Sequence, residues 1–223
     1  MNEQFIEWAK NKLNDNCVVT KERHGDQSDV FMIETSNGNY FLKIGTKLTR
    51  EKERLEWLNG KLSVPEVVGF MKIDDKEALL MTAIAGINLA VLKKEWSPEK
   101  VVDRLAEVIK KFHAVSTENC PFGISELGMV LVHGDACLPN FIFNGDDFSG
   151  YIDLGDMTIG DSEIDLAAAV WSLQHNLGEG YGLRFLEKYG IKNATDKLVE
   201  ELRLKYEDMQ KEWGLYSENR SRQ

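Results

Sequence analysis

Apolar residues recur at helical spacing in the first thirteen positions. Phe5, Ile6, Ala9 and Leu13 predict an amphipathic helix over 2–13. Alternation then takes over. Val18-Val19 and Val30-Phe31-Met32-Ile33 flank a polar turn, His24-Gly25-Asp26-Gln27-Ser28. Ser36-Asn37-Gly38-Asn39 carries the Asn-Gly signal of a tight hairpin, with Tyr40-Phe41-Leu42-Lys43-Ile44 as the returning strand. Thr49 is placed to cap a helix that runs to about Leu58 and stops at Asn59-Gly60. Val67-Val68-Gly69-Phe70 and Ala78-Leu79-Leu80-Met81 read as two further strands, and Ala85-Gly86-Ile87 as a crossover. From Ser97 the character turns helical. Ser97 is a good N-cap, Pro98 suits the first helical position, and Val101, Leu105, Val108, Ile109 and Phe112 form one face. The pattern predicts a β-rich N-terminal domain over 1–82 and a mainly helical C-terminal domain over 83–223, whose polar last ten residues are expected to fray.

Charge narrows the partners. Lys and Arg number 27 against 37 Asp and Glu, a net −10, which argues against a nucleic-acid surface and favours a cationic partner. No apolar run approaches the roughly 20 residues of a membrane helix, and Met1-Asn2-Glu3-Gln4 lacks a signal-peptide layout. Cys17, Cys120 and Cys137 are odd in number and form no Cys-x-x-Cys pair, so a reducing cytoplasm is the expectation. The four histidines show no His-x-x-x-His pairing, and zinc is not expected. A monomer or homodimer is consistent with the rest.

Residues 129–156 hold the densest chemistry. Two apolar strands, 141–143 and 149–152, surround a turn read as 145–148, a register that sets Asn144 opposite Ser149 and Asn140 opposite Asp153. Asp135 precedes them on the loop feeding the first strand. Three oxygen donors without basic neighbours suit Mg²⁺, which takes few protein ligands and completes its shell with water and phosphates. A carboxylate just outside that pair can accept a proton from an attacking hydroxyl. Such a grouping is what phosphoryl transfer asks of a protein. The plainer alternative is that Asp and Asn are turn-formers in an ordinary hairpin. His133-Gly134, the flanking apolar strands and the matched Asp153 weigh against it.

Lys43 adds an independent signal from inside an apolar strand. Eight residues on, Glu51 shares a helix face with Leu55 and Leu58 and so points inward. A carboxylate on a buried face needs a cation, and Lys43 is the nearest candidate. The pair would aim the ammonium at nucleotide phosphates. Glu51 alone would read as a first-turn acid favoured by the helix dipole. No Gly-x-x-x-x-Gly-Lys-Ser/Thr stretch occurs, which excludes the usual P-loop.

With these residues in view, the sequence resembles the aminoglycoside phosphotransferases, most nearly the 3′-type (kanamycin kinase-like), within the superfamily that shares the protein-kinase-like fold. His133-Gly134-Asp135-Ala136-Cys137-Leu138-Pro139-Asn140 is similar to the catalytic-loop motif, and Phe148-Ser149-Gly150-Tyr151-Ile152-Asp153-Leu154-Gly155 to the metal-binding segment. Trp57 to Pro65, Cys120-Pro121-Phe122 and Tyr189-Gly190-Ile191 resemble further family landmarks. The resemblance implies an α+β, protein-kinase-like bilobal fold: a small antiparallel β-rich N-lobe and a larger, mainly helical C-lobe. It implies Asp135 as catalytic base, Asn140 and Asp153 as Mg²⁺ ligands, and Lys43 with Glu51 as the phosphate-binding pair. Gly25-Asp26-Gln27-Ser28 resembles the loop over the nucleotide phosphates, and Thr82 and Ile84 a hinge whose backbone meets the adenine edge. His133 supports the loop. Asp165 matches the acid that braces it, although a first-turn capping acid reads the same way.

The sequence also departs from the family. Only ten residues, 123–132, lie between Phe122 and His133, where members carry several dozen that wall the antibiotic pocket. Asp156 stands where many 3′-type enzymes have Arg, and the chain runs on past Leu204-Lys205-Tyr206-Glu207-Asp208 instead of ending on acids that face the substrate amines. The implied activity is ATP- and Mg²⁺-dependent phosphorylation of an aminoglycoside at its 3′-hydroxyl, giving antibiotic resistance. Asp156, Asp161 and Glu163 are the acids expected to attract the cationic acceptor. The alternatives are a kinase for another small hydroxyl metabolite, or a nucleotide-binding module without efficient turnover.

Overall fold

The computed structural model describes residues 2–24, 28–124 and 126–212, and the chain divides into two compact units. The first comprises Met1–Gly86 and Ser149–Asp156. Its helix α1 (Asn2–Leu13) buries Phe5 and Ala9. Five antiparallel strands follow: β1 (Val18–His24), β2 (Ser28–Thr35), β3 (Gly38–Gly45), β4 (Val67–Ile73) and β5 (Lys76–Thr82), in the order β1-β2-β3-β5-β4. Alternation accounts for the packing: Phe31, Ile33, Leu42, Ile44, Ala78 and Leu80 bury one face against Phe5 and Ala9. The β2–β3 hairpin turns on Ser36 and Asn37, with Thr35 opposite Gly38. Gly38 opens the returning strand at φ 141°, a conformation that favours glycine.

Helix α2 (Leu48–Leu58) corrects the expected cap. Its N-cap is Lys47 in a left-handed conformation, with no side-chain cap hydrogen bond. Thr49 lies inside the first turn, and the acceptor comes from across the fold. Glu77 of β5 accepts the Thr49 N–H at 2.8 Å and the Thr49 hydroxyl at 3.0 Å. A buried carboxylate there satisfies an orphan amide and meets the positive end of the helix.

The second unit comprises Ile87–Phe148 and Met157–Gln223. The boundary expected after residue 82 falls at 86, and the return of 149–156 to the first unit has no counterpart in the sequence reading. The short strand β6 (Ile87–Asn88) leads into α3 (Leu89–Leu92), capped by the Asn88 side chain. In α4 (Pro98–His113) the Ser97 hydroxyl accepts the Lys100 N–H, and Val101, Leu105, Val108, Ile109 and Phe112 are all buried. Next come β7 (Val130–Val132), a 3₁₀ turn at Leu138–Asn140, β8 (Phe141–Asn144), β9 (Asp147–Tyr151) and β10 (Thr158–Gly160). β7 pairs with β10 and β6 with β8, both antiparallel. Helices α5 (Glu163–Leu177), α6 (Gly182–Tyr189) and α7 (Asp196–Glu212) complete the unit. Leu166 through Val170 of α5 are all buried, as suits a helix that is apolar nearly all round.

The turn read as 145–148 is in fact two residues, Gly145 and Asp146. Gly145 at φ 58° supplies the positive dihedral that such a turn needs at its first central position. Phe148 therefore belongs to β9, its ring edge-on to Phe143 at 5.3 Å. The register that set Asn140 opposite Asp153 does not hold, and Asp153 lies beyond the strand end. Among the described residues no helix is long and apolar enough to cross a membrane.

Candidate active site

In the first unit the chemistry gathers around Lys43. It sits on β3, flanked by Val30 of β2 and Leu79 of β5, so the sheet fixes its stem. Its ammonium donates to Glu51 Oε1 at 2.6 Å, to Oε2 at 2.9 Å and to Asp153 Oδ1 at 3.0 Å. Glu51 is buried on α2. Burial works against the Lys43 charge, but the carboxylates of Glu51 and Asp153 outweigh it and raise the lysine above its ordinary range. Burial pushes the Glu51 carboxyl up, and Lys43 offsets this only in part.

Asp153 takes a left-handed backbone, φ 61°, which Asp tolerates better than most side chains. Its segment is tied down just upstream. The Tyr151 N–H donates to the Ser63 carbonyl at 3.0 Å, and the Ser63 hydroxyl donates to the Ser149 carbonyl. Between them, Gly150 lies so close that a Cβ would come within 2.8 Å of the Ser63 carbonyl oxygen. Asp156 is exposed and lies 3.7 Å from the Arg50 guanidinium. Thr82 closes β5, its N–H bonded to the Glu66 carbonyl and its hydroxyl accepting the Glu66 N–H, each at 2.9 Å. Ile84 is half-buried just beyond, against Gly150. Ser28 begins β2 opposite Gly45. Gly25, Asp26 and Gln27 lie outside the described residues.

In the second unit Asp165 is the hub. Fully buried in the first turn of α5, it accepts the backbone N–H of His133 at 2.6 Å and of Gly134 at 2.9 Å, and faces His113 Nε2 at 2.9 Å. His113 in turn meets the Tyr189 hydroxyl at 2.8 Å through Nδ1. Those bonds fix the loop just before Asp135. The His133 ring is wedged between Phe112 and Phe141, and its Nδ1 accepts the Asp135 N–H at 3.3 Å. Asn140, at the end of the 3₁₀ turn, donates through Nδ2 to the Asp135 carbonyl at 2.8 Å and to Asp135 Oδ2 at 2.9 Å. The Tyr206 hydroxyl of α7 donates to Asp135 Oδ1 at 3.1 Å.

Three of these partners escaped the sequence reading. His113 and Tyr206 had a signal: each lies one turn beyond a buried apolar residue, Ile109 and Leu202, and a polar group on a buried face needs a partner. Tyr189 stood in a family landmark without a role. Of the acids expected at the acceptor, Asp161 and Glu163 have partners within the second unit, whereas Asp156 faces Arg50 in the first. Asp161 Oδ1 accepts the Glu163 N–H at 2.9 Å, and Glu163 bridges to Lys205 at 2.7 Å.

Each unit offers an oxygen donor suited to a hard divalent ion. Both Asn140 amide protons are directed to Asp135, which leaves the amide oxygen as the accepting end of that side chain. Asp153 keeps 53% of its side chain exposed. Each, taken by itself, is an oxygen ligand of the kind that Mg²⁺ takes. Among the described residues no group of three or more His, Cys, Asp or Glu side chains could hold a metal.

A central lysine paired to a helical glutamate, with a loop aspartate clamped by an asparagine five residues on, defines a phosphotransferase of the α+β, protein-kinase-like fold. The model of the Phosphotransferase enzyme family (APH) matches residues 19–128 and 125–202, and the chain belongs to that family. A probable aminoglycoside 3′-phosphotransferase of Lactococcus lactis is 27% identical over 234 residues, covering 84% of this chain and 88% of that protein. An aminoglycoside 3′-phosphotransferase of Enterococcus faecalis is 27% identical over 243 residues, covering 84% and 92%. Among solved structures, the aminoglycoside phosphotransferase APH(3'')-Id of Streptomyces rimosus superposes with a TM-score of 0.71 at 20% identity, over 92% of this chain and 97% of that one.

Proposed function

We propose that the protein transfers the γ-phosphoryl group of ATP to a hydroxyl of an aminoglycoside, the 3′-hydroxyl in the first instance, and so confers resistance. The observation that carries this reading is the Asp135 carboxylate, held by Asn140 on a loop whose backbone is anchored by Asp165. In this reading Asp135 takes the proton of the acceptor hydroxyl, the acceptor oxygen bonds to phosphorus, and the bond to the leaving ADP oxygen breaks. Lys43, kept charged by Glu51, binds nucleotide phosphates. The Thr82–Ile84 backbone meets the adenine edge, and Ser28 borders the phosphate loop. Asn140 and Asp153 hold Mg²⁺, which when bound neutralises charge on the phosphates. The acceptor class is supported by relatives that bear the 3′-phosphotransferase name along most of this chain. The net charge of −10 suits a polycation, with Asp156, Asp161 and Glu163 as its proposed contacts. A cytoplasmic site of action is part of the reading, supported by three free cysteines.

ATP consumption measured with kanamycin, neomycin and an amino-alcohol panel tests the proposal. Stimulation by a 3′-hydroxyl aminoglycoside but not by its 3′-deoxy analogue is expected. Stimulation only by a small amino alcohol would move the assignment to another hydroxyl metabolite. Nucleotide binding without any acceptor-stimulated turnover would leave a binding module. Asp135→Asn should cut transfer by at least about a hundredfold, the usual contribution of a general base, with ATP affinity retained.

A further inference from the structure

The Asp135 carboxylate is gripped at both oxygens, and the second grip comes from a helix 71 residues downstream. Asn140 donates to Oδ2 at 2.9 Å and Tyr206 to Oδ1 at 3.1 Å. Tyr206 is buried on α7, its ring tilted against Trp171 of α5 with centroids 5.3 Å apart. Cys137 Sγ lies 3.4 Å from the same hydroxyl. Burial holds that thiol well above its ordinary range, so it is protonated, and it reaches the Ala168 carbonyl at 3.8 Å. A phenol has a single proton, and an ionised carboxylate accepts it better than a neutral sulfur does.

Two grips do what one cannot. A single donor on Oδ2 leaves the carboxylate free to swing about its χ2 torsion, which for Asp is a broad well. A carboxylate offers about four lone-pair sites. With one on each oxygen taken, an incoming hydroxyl meets a plane of fixed orientation and one open site per oxygen.

We propose that Tyr206 is a positioning residue for phosphoryl transfer: it fixes the Asp135 carboxylate in one orientation and so dictates the side from which the acceptor hydroxyl is received. The inference rests on Asp135 as the base. Tyr206 keeps its own proton throughout; the acceptor's proton goes to Asp135.

The test is Tyr206→Phe in the full chain, which keeps the ring and its Trp171 contact and removes only the hydroxyl. With kanamycin A as acceptor, kcat is expected to fall about tenfold, the worth of one hydrogen bond to a charged group. KM for ATP and ATP affinity by calorimetry are expected to stay at parental values. A crystal structure of the variant should show Asp135 rotated about χ2 or split between two conformers, against a single one in the parent. Unchanged kcat with an undisturbed Asp135 would overturn the proposal, as would a parental crystal structure with the two oxygens more than hydrogen-bond distance apart. That parental structure decides the matter even if the variant does not fold. Asp135→Asn, assayed alongside, separates the two claims. If it turns over kanamycin A at the parental rate, the base assignment fails; if it is inactive while Tyr206→Phe matches the parent, only the positioning role fails. Should the parent not phosphorylate kanamycin A, the Asp135 conformation in the crystals judges Tyr206 alone.

Discussion

The Lys43 ammonium bonds both oxygens of the Glu51 carboxylate, at 2.6 and 2.9 Å, joining the middle of the sheet to the helix that follows it. Neither charge is comfortable there without the other. Glu51 is 4% exposed, and an ion left alone at such a depth costs several kcal/mol.

Lys43→Ala is therefore expected to destabilise the fold by about 3 kcal/mol, because it strands the Glu51 carboxylate in the interior. Glu51→Gln on top of it should recover a large part of that loss. Urea denaturation of the four proteins of this cycle measures the coupling. Additive losses would mean that the pair contributes nothing to stability. ATP affinity should fall in Lys43→Ala and should not return with the second change, since the charge proposed to meet the phosphates is still missing.

Asp165 has three donors and no solvent. Asp165→Asn replaces one accepting oxygen by an NH₂ that confronts either a backbone N–H or the ring nitrogen of His113. The expected cost is about 2–4 kcal/mol in chemical denaturation, the range for breaking a buried charged network. Turnover should drop as well, because the loop carrying Asp135 loses its anchor. A variant as stable and as active as the parent would show that the loop is held by other contacts.

How far the sequence reaches depends on how local the cause is. α4 was legible from Ser97 and Pro98 to Phe112 because its cap, its first-turn proline and its apolar face lie within one stretch. The Lys43–Glu51 pair was legible because eight residues separate its members and helix periodicity turns Glu51 inward. The turn at Gly145 was misread because Asn144-Gly145-Asp146-Asp147 offers several turn-formers, and the ring of Phe148 against Phe143 decides where β9 begins. The burial of Tyr206 had a signal in its spacing from Leu202, but its meeting with Asp135, like that of Glu77 with Thr49, was out of reach. Each joins elements distant in the chain, and no spacing in the sequence encodes a contact that packing alone creates.

Gly150 tests how tightly the segment before Asp153 must approach its neighbour. A methyl group there would lie 2.8 Å from the Ser63 carbonyl and 3.1 Å from the Ser63 hydroxyl oxygen. The contact is with backbone, so no side-chain rotation relieves it. Gly150→Ala should cost about 1–3 kcal/mol, as overpacking does. Mg²⁺-dependent ATP binding should weaken more than overall stability if the shift propagates three residues to Asp153. Calorimetric titration of ATP at fixed Mg²⁺, set beside a thermal melt, separates the two effects.

Glu77 supplies a pH signature. Burial disfavours its charge, yet the Thr49 N–H and hydroxyl, with the Lys72 ammonium at 3.2 Å, outweigh burial and hold the carboxyl below its ordinary range. A group whose folded value is depressed adds stability above its unfolded value, about 4.3 for Glu, and loses it as pH falls through the folded value. Glu77→Ala should therefore be less stable than the parent at pH 7, by about 1 kcal/mol as for a lost helix cap. The gap should narrow steadily below about pH 4, where the parental carboxyl is also neutralised. Urea midpoints at pH 7, 5, 4 and 3 trace the curve. A difference that stays constant down to pH 3 would mean that the side chain acts by packing, and that its charge does nothing for the first turn of α2.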